Sequence, residues 1–154
     1  MEPNEQMEAT CYNSYYRHGV DEKRRVQIPA KWRPAQLGGE FTLVLWPKEK
    51  EGPCLRAYPP SQMKILMEQI ASPRTDPAYK GVLKRIIGAG SMLAPLDKVG
   101  RICLSEDMAK AAGITDQVML VGCLDRFEIW SPERYDKIAA SDAVMVPEAF
   151  KLME

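Results

Sequence analysis

The sequence is poor in the residues from which metal centres, disulfide frameworks and hydrolytic sites are built. It has one histidine, His18, and four cysteines, Cys11, Cys54, Cys103 and Cys123, with no C-x-x-C pair among them. A lone imidazole has no second one with which to chelate a metal, so His18 is expected to be a hydrogen-bonded strand histidine. The wide cysteine spacing fits neither a ligand cluster nor a secreted disulfide framework, and free thiols in a reducing cytoplasm are the simpler expectation. Cys103 and Cys123 lie in apolar runs and are expected to pack as small hydrophobes. No window approaches the ~18 consecutive apolar residues of a membrane span, and the first residues are acidic and polar, against a signal peptide. A charge excess is also missing: 21 basic and 21 acidic side chains cancel. That argues against a generally basic nucleic-acid binder, though not against a local basic face. No base stands beside a nucleophile, and Asp125, Arg126 and Glu128 form no Gly-rich phosphate cradle. An enzyme is therefore the weakest class; no cofactor, metal or small-molecule substrate is expected.

What the chain does have is a repeat. At 154 residues, 45% hydrophobic and 27% charged, it can bury a core as one compact domain or two fused half-size ones. Asp97-Lys98-Val99-Gly100-Arg101, followed by Ile102-Cys103-Leu104, stands 76 residues after Asp21-Glu22-Lys23-Arg24-Arg25, followed by Val26-Gln27-Ile28. The offset still holds at Leu43-Val44-Leu45 against Met119-Leu120-Val121. It then slips by four residues, so that Leu55 to Pro59 align with Phe127 to Ser131. A fixed internal period is a statement about architecture. Here it predicts two copies of a small unit, each with Asp and Arg closing a five-residue turn.

Within each copy the pattern reads β-turn-β, short helix, β-loop-β, helix. Strand character begins near Ser14-Tyr15-Tyr16. Asp21 to Arg25 is too polar for burial and lies between β-prone runs, as a turn should. Gly100 supplies positive φ freely in the second copy. Arg24 stands there in the first, where a left-handed residue would cost about 1–2 kcal/mol, which counts against identical turns. Pro29 to Arg33 fits a short helix stopped by Pro34; Ser105 to Gly113 has a serine cap, early acids and a terminal glycine. Phe41 to Trp46 and Val118 to Val121 read as strands, each looping to a shorter one, Cys54 to Tyr58 and Phe127 to Trp130. The first loop carries a charged insertion, Lys48 to Glu51. Ser61 can cap a helix with Met63, Leu66, Met67 and Ile70 on one face, and Ser131-Pro132 opens another with Tyr135, Ile138 and Ala139 inward. Between them Asp76-Pro77 starts a third, with Tyr79, Val82, Leu83 and Ile86 on one side and Lys80, Lys84 and Arg85 toward the other. Trp32, Trp46, Phe127 and Trp130 are expected in the core.

His18 to Arg33 closely resembles the opening motif of the bacterial MraZ proteins. Asp97 to Arg101 and Val121-Gly122-Cys123-Leu124-Asp125-Arg126-Phe127-Glu128-Ile129-Trp130 resemble that family's second half. The likeness runs from about Tyr16 to Tyr135, with Arg24 standing where the family usually has glycine. The resemblance implies an α+β, β-rich fold: two tandem AbrB-like swapped-hairpin units forming a pseudo-two-fold, double-barrel-like subunit with flanking short helices. The expected divisions are a flexible leader (1–13), a first unit (14–72), a helical connector (73–90), a second unit (91–141) and a C-terminal tail (142–154). It further implies a cytoplasmic, nucleoid-associated regulator. Such a protein would bind short direct repeats of double-stranded promoter DNA at the division and cell-wall gene cluster, as a closed ring of identical subunits. The Asp-x-x-x-Arg signature, Asp21/Arg25 and Asp97/Arg101, is the element tied to DNA contact.

The charges agree. From Arg17 to Arg33 six basic residues face two acidic ones, a local +4, whereas Asp97 to Lys110 is balanced at three each. Arg25, Arg24, Lys23, Lys31 and Arg33 are thus candidate DNA contacts of a first copy that meets phosphate, with Asp21 orienting the arginine; the second copy, with Arg101 and Asp97, would serve mainly assembly. Both arginines have a plainer reading, in which they pair with Asp21 and Asp97 across their turns and only fix the loops. The competing functional class is a ring-forming protein-interaction or antitoxin-like module that does not touch DNA.

Overall fold

The computed structural model describes residues 10–34, 39–47 and 50–154. Most of the expected leader (1–9) and Lys48 and Glu49 of the charged insertion lie outside the described residues. The chain is α+β. Among the described residues eight strands, β1 (Tyr15–Gly19), β2 (Arg25–Gln27), β3 (Glu40–Trp46), β4 (Cys54–Tyr58), β5 (Ser91–Pro95), β6 (Arg101–Cys103), β7 (Gln117–Gly122) and β8 (Phe127–Trp130), are interspersed with four helices. The helices are α1 (Pro60–Ala71), α2 (Pro77–Ala89), α3 (Glu106–Ala111) and α4 (Pro132–Lys151), and a 3-10 turn spans Ala30–Trp32.

Six strands form one antiparallel sheet in the order β1-β7-β8-β4-β3-β5, while β2 and β6 pair as a separate two-stranded ribbon. The order reads the same from either end if each strand of β1–β4 is exchanged with its repeat counterpart in β5–β8. The first strand of each half pairs in the other half: β1 lies on β7 (Tyr15 opposite Val121, Gly19 opposite Gln117) and β5 on β3 (Phe41 opposite Ala94). The halves meet again at the sheet centre, where Leu55 faces Ile129 across β4 and β8.

Alternation along each strand decides which face a side chain takes. Phe41, Leu43, Leu55, Ala57, Val118, Leu120, Phe127 and Ile129 point to one side and bury completely. Val26 and Ile102 of the ribbon, Trp32 of the 3-10 turn and Met108, Ala109 and Ala112 around α3 close that core from above. The reverse face carries the longer helices. Val44 and Tyr58 meet Ile70 of α1 and Ile87 of α2, and Cys54, Met119 and Trp130 meet Tyr135 and Ile138 of α4. The ribbon and the helices α1, α2 and α4 therefore lie on opposite sides of the sheet. Burial of Val26 and Ile102, each worth about 1.5–3 kcal/mol, holds the ribbon down.

Several local expectations are corrected. Helix α1 opens at Pro60 behind Pro59, with no side-chain cap, so Ser61 sits inside it; proline is already set for a first turn. On α2 the sheet contact is made by Leu83 and Ile87, one turn apart, and the apolar stripe is wider than that contact. Tyr79, Val82 and Ile86 are left exposed. Helix α4 runs past Ala139, the last residue of the expected inward face, through Pro147 to Lys151. Cys103 is exposed, because Ile102 takes the inward position on β6 and parity turns its neighbour out. Trp46 is only half-buried, with the Arg56 guanidinium 3.7 Å above its ring. The His18 ring lies parallel to that of Tyr16 and makes no side-chain hydrogen bond among the described residues.

Candidate nucleic-acid interface

The site is the outward face of the β2–β6 ribbon with the two turns that feed it. In this ribbon Arg25 stands opposite Cys103, Val26 opposite Ile102 and Gln27 opposite Arg101. With Val26 and Ile102 fully buried beneath, strand parity sends Arg25, Gln27, Arg101 and Cys103 to the other side. Arg25, Gln27 and Arg101 line one shallow cleft of about 340 Å³ together with Gly19, Val20 and Asp21. The two halves' signature arginines thus share a single surface, and the division into a phosphate-meeting copy and an assembly copy is not followed by their positions.

Each turn is built by its aspartate. The Asp21 Oδ1 accepts from the backbone N–H of Lys23 at 3.0 Å and of Arg25 at 2.8 Å, and Oδ2 accepts from Arg25 Nε at 2.7 Å. In the second turn Asp97 Oδ1 accepts from Val99 N at 3.0 Å and Arg101 N at 2.9 Å, and Oδ2 from Arg101 Nε at 2.8 Å. The Arg25 backbone N–H, ahead of its guanidinium and the Lys23 N–H, holds the Asp21 carboxyl below its ordinary value of 3.8; desolvation acts the other way. Asp97 is lowered in the same manner, first by the Arg101 backbone N–H. The plainer reading of the arginines is therefore correct as far as Nε is concerned. It uses only one edge of each guanidinium: Nη1 and Nη2 of Arg25 and Arg101 make no hydrogen bond among the described residues. The side chains remain 34% and 31% exposed, so neither is sealed inside.

The expectation of unlike turns is overturned. Arg24 has φ 60° and Gly100 has φ 85°, and both turns close with the same backbone bonds. Asp21 N donates to Arg25 O and Arg24 N to Asp21 O; Asp97 N donates to Arg101 O and Gly100 N to Asp97 O. Arg24 accepts the left-handed backbone because its side chain is used: Nε donates to the Leu104 carbonyl at 3.0 Å. At the equivalent place in the other half, Arg33 Nε donates to the Ile28 carbonyl at 2.8 Å, and its guanidinium fills the space where a side chain on Gly100 would sit. One guanidinium thus covers each of two repeat-related carbonyls, supplied from different positions.

Not every candidate converges on the cleft. Asp21, Arg25 and Arg101 line it; Lys23 and Asp97 are exposed on the turns at its ends; Arg33 leans on the second turn. Lys31 is exposed on the 3-10 turn, and Arg24 faces a separate hollow beside Glu106 and Lys110. Gln27 was missed. The alternation Arg25-Val26-Gln27 was signal enough to place it outward beside the arginine.

With this geometry in view, the chain can be set beside known proteins. The profile of a family described as "MraZ protein, putative antitoxin-like" matches residues 89–149. A Transcriptional regulator MraZ of Leuconostoc citreum is 35% identical over 128 residues, 83% of this chain and 86% of that protein. The chain belongs to the MraZ family. Its relatives of the same name in Clostridium acetobutylicum (32% identical over 140 residues, 90% of this chain and 94% of that protein) and Acidithiobacillus ferrooxidans (32% over 130 residues, 81% and 85%) span both halves. These relatives carry the name of a transcription regulator. No helix among the described residues is long and apolar enough to cross a membrane.

Proposed function

We propose that this chain is a sequence-specific DNA-binding transcriptional regulator that works as a ring-shaped homo-oligomer, in the cytoplasm at the nucleoid, on short direct repeats in the promoter of the division and cell-wall gene cluster. The observation that carries the reading is the ribbon: two arginines with free Nη edges and a glutamine on one outward face. A two-stranded ribbon is of a size that the major groove admits, and arginine there addresses guanine or phosphate. Asp21 and Asp97 set the arginines; Lys23, Lys31, Arg24 and Arg33 add positive charge around the first turn. The exchanged pairings β1–β7 and β5–β3 support the reading of residues 14–72 and 91–141 as two AbrB-like swapped-hairpin units joined by 73–90.

A neutral subunit with one small cationic face binds DNA feebly alone. Several subunits engaged on repeated half-sites multiply that affinity through effective concentration. Exposed Val144, Met145, Phe150, Leu152 and Met153 on and after α4 are apolar surface of the kind that assembly covers. The same surface favours the second reading, a protein-interaction module. A gel shift on the DNA upstream of the chain's own coding region, run across a salt series, separates the two. Steep weakening with salt is expected; no shift at any salt favours the protein partner.

A further inference from the structure

The outward face of the ribbon has an approximate two-fold axis between Val26 and Ile102, which pair with each other. The axis relates Arg25 to Arg101 and Gln27 to Cys103. Each member of the second pair is tied to the equivalent carbonyl of the opposite turn. Gln27 Nε2 donates to the Val99 carbonyl at 2.7 Å, and the Cys103 thiol donates to the Lys23 carbonyl at 3.3 Å. What is left over differs. A thiol has one proton, and it is directed at the Lys23 carbonyl, with the Leu104 carbonyl a longer second acceptor at 3.7 Å. A primary amide has two N–H groups and a carbonyl. Because the Val99 carbonyl can only accept, it settles which end of the amide faces it. One N–H and Oε1 of Gln27 remain, in the same amide plane, beside two guanidiniums in the same cleft.

A donor and an acceptor in that arrangement match the major-groove edge of adenine, whose N7 accepts and whose N6 amino group donates. We propose that Gln27 is a specificity-determining residue that reads one adenine of the bound DNA, and that the ribbon does so on one side only, since Cys103 keeps a weakly accepting sulfur but no free donor to set beside it. The inference rests on the DNA-binding reading above and adds to it a named base and a polarity. Its logic is that of a fixed amide: Val99 removes the rotational freedom that an exposed glutamine otherwise loses on binding.

The test compares the wild type with Gln27→Ala on duplexes of the DNA upstream of the coding region. Each adenine in the protected site is replaced in turn by 7-deaza-adenine, which lacks the N7 acceptor but still pairs with thymine. In the wild type one position per contacted half-site should weaken binding by about 5- to 150-fold, the range of a base-reading pair. Gln27→Ala should lose that position's effect and bind the modified and unmodified duplexes alike. Two results overturn the proposal: the same sensitivity in both proteins, or no sensitive adenine in a wild type that nonetheless binds with strong salt dependence. A wild type that fails to bind DNA at all removes the underlying reading, and this inference with it.

Discussion

Arg24 offers a test in which strain and hydrogen bonding can be separated. Its φ of 60° is left-handed, at a cost of about 1–2 kcal/mol for a residue with a Cβ. Its Nε donates to the Leu104 carbonyl, a charge-assisted bond worth about 1.5–3 kcal/mol. Arg24→Ala keeps the strain and loses the bond, so it should destabilise by about 1.5–3 kcal/mol. Arg24→Gly loses the same bond but relieves the strain, less about 0.4–1 kcal/mol for the greater freedom of glycine in the unfolded chain. The glycine variant should therefore be more stable than the alanine variant by about 1 kcal/mol. Urea unfolding reads this directly: at a slope of about 1–3 kcal/mol per M, the two midpoints should differ by roughly 0.5 M. An alanine variant as stable as the glycine variant would refute the argument, since the turn would then store no strain at this residue.

Further predictions follow from the same geometry. Asp21 and Asp97 titrate below 3.8 in the folded chain, so their contribution to stability is complete above that value and is lost as pH falls through the lower, folded one. Urea midpoints taken between about pH 5 and pH 2 should fall, and Asp21→Asn with Asp97→Asn should flatten part of that fall; an unchanged profile in the double variant would contradict the assignment. Among the thiols, exposed Cys11 and Cys103 should react quickly with a soluble disulfide reagent in the native protein. Cys54 is buried, and Cys123 is pushed up to about 12, chiefly by desolvation; both should wait for unfolding, and four equally fast thiols would show the core to be open.

Much of this architecture is written in short-range patterns. The apolar run Phe41 to Trp46 and the serine cap of α3 each act within a few residues, and each led to the right element. What the local pattern does not carry is partnership across the chain. Nothing in Tyr15 to Gly19 says that it pairs with β7 and not with its own half, because strand pairing is decided by the register of the whole sheet. Arg24 shows the same limit. Its intrinsic preference argued against a left-handed turn, and a carbonyl 80 residues away reverses the balance. Cys103 was misplaced for a different reason: an apolar neighbourhood was weighed above parity, although parity was legible. In α2 and α4 the helices were identified correctly, but the sheet accepts only part of each apolar stripe, and the width of that seat is a tertiary quantity.

The account depends most on the ribbon meeting DNA through the free edges of Arg25 and Arg101. Binding to the upstream DNA should be measured against salt for the wild type, Arg25→Ala, Arg101→Ala and the double variant. If each arginine neutralises one phosphate, each substitution flattens the log–log slope by about 0.9 per engaged ribbon, and the double variant by twice that. Slopes indistinguishable from the wild type in all three variants would contradict the claim, because the signature arginines would then hold their turns and nothing more.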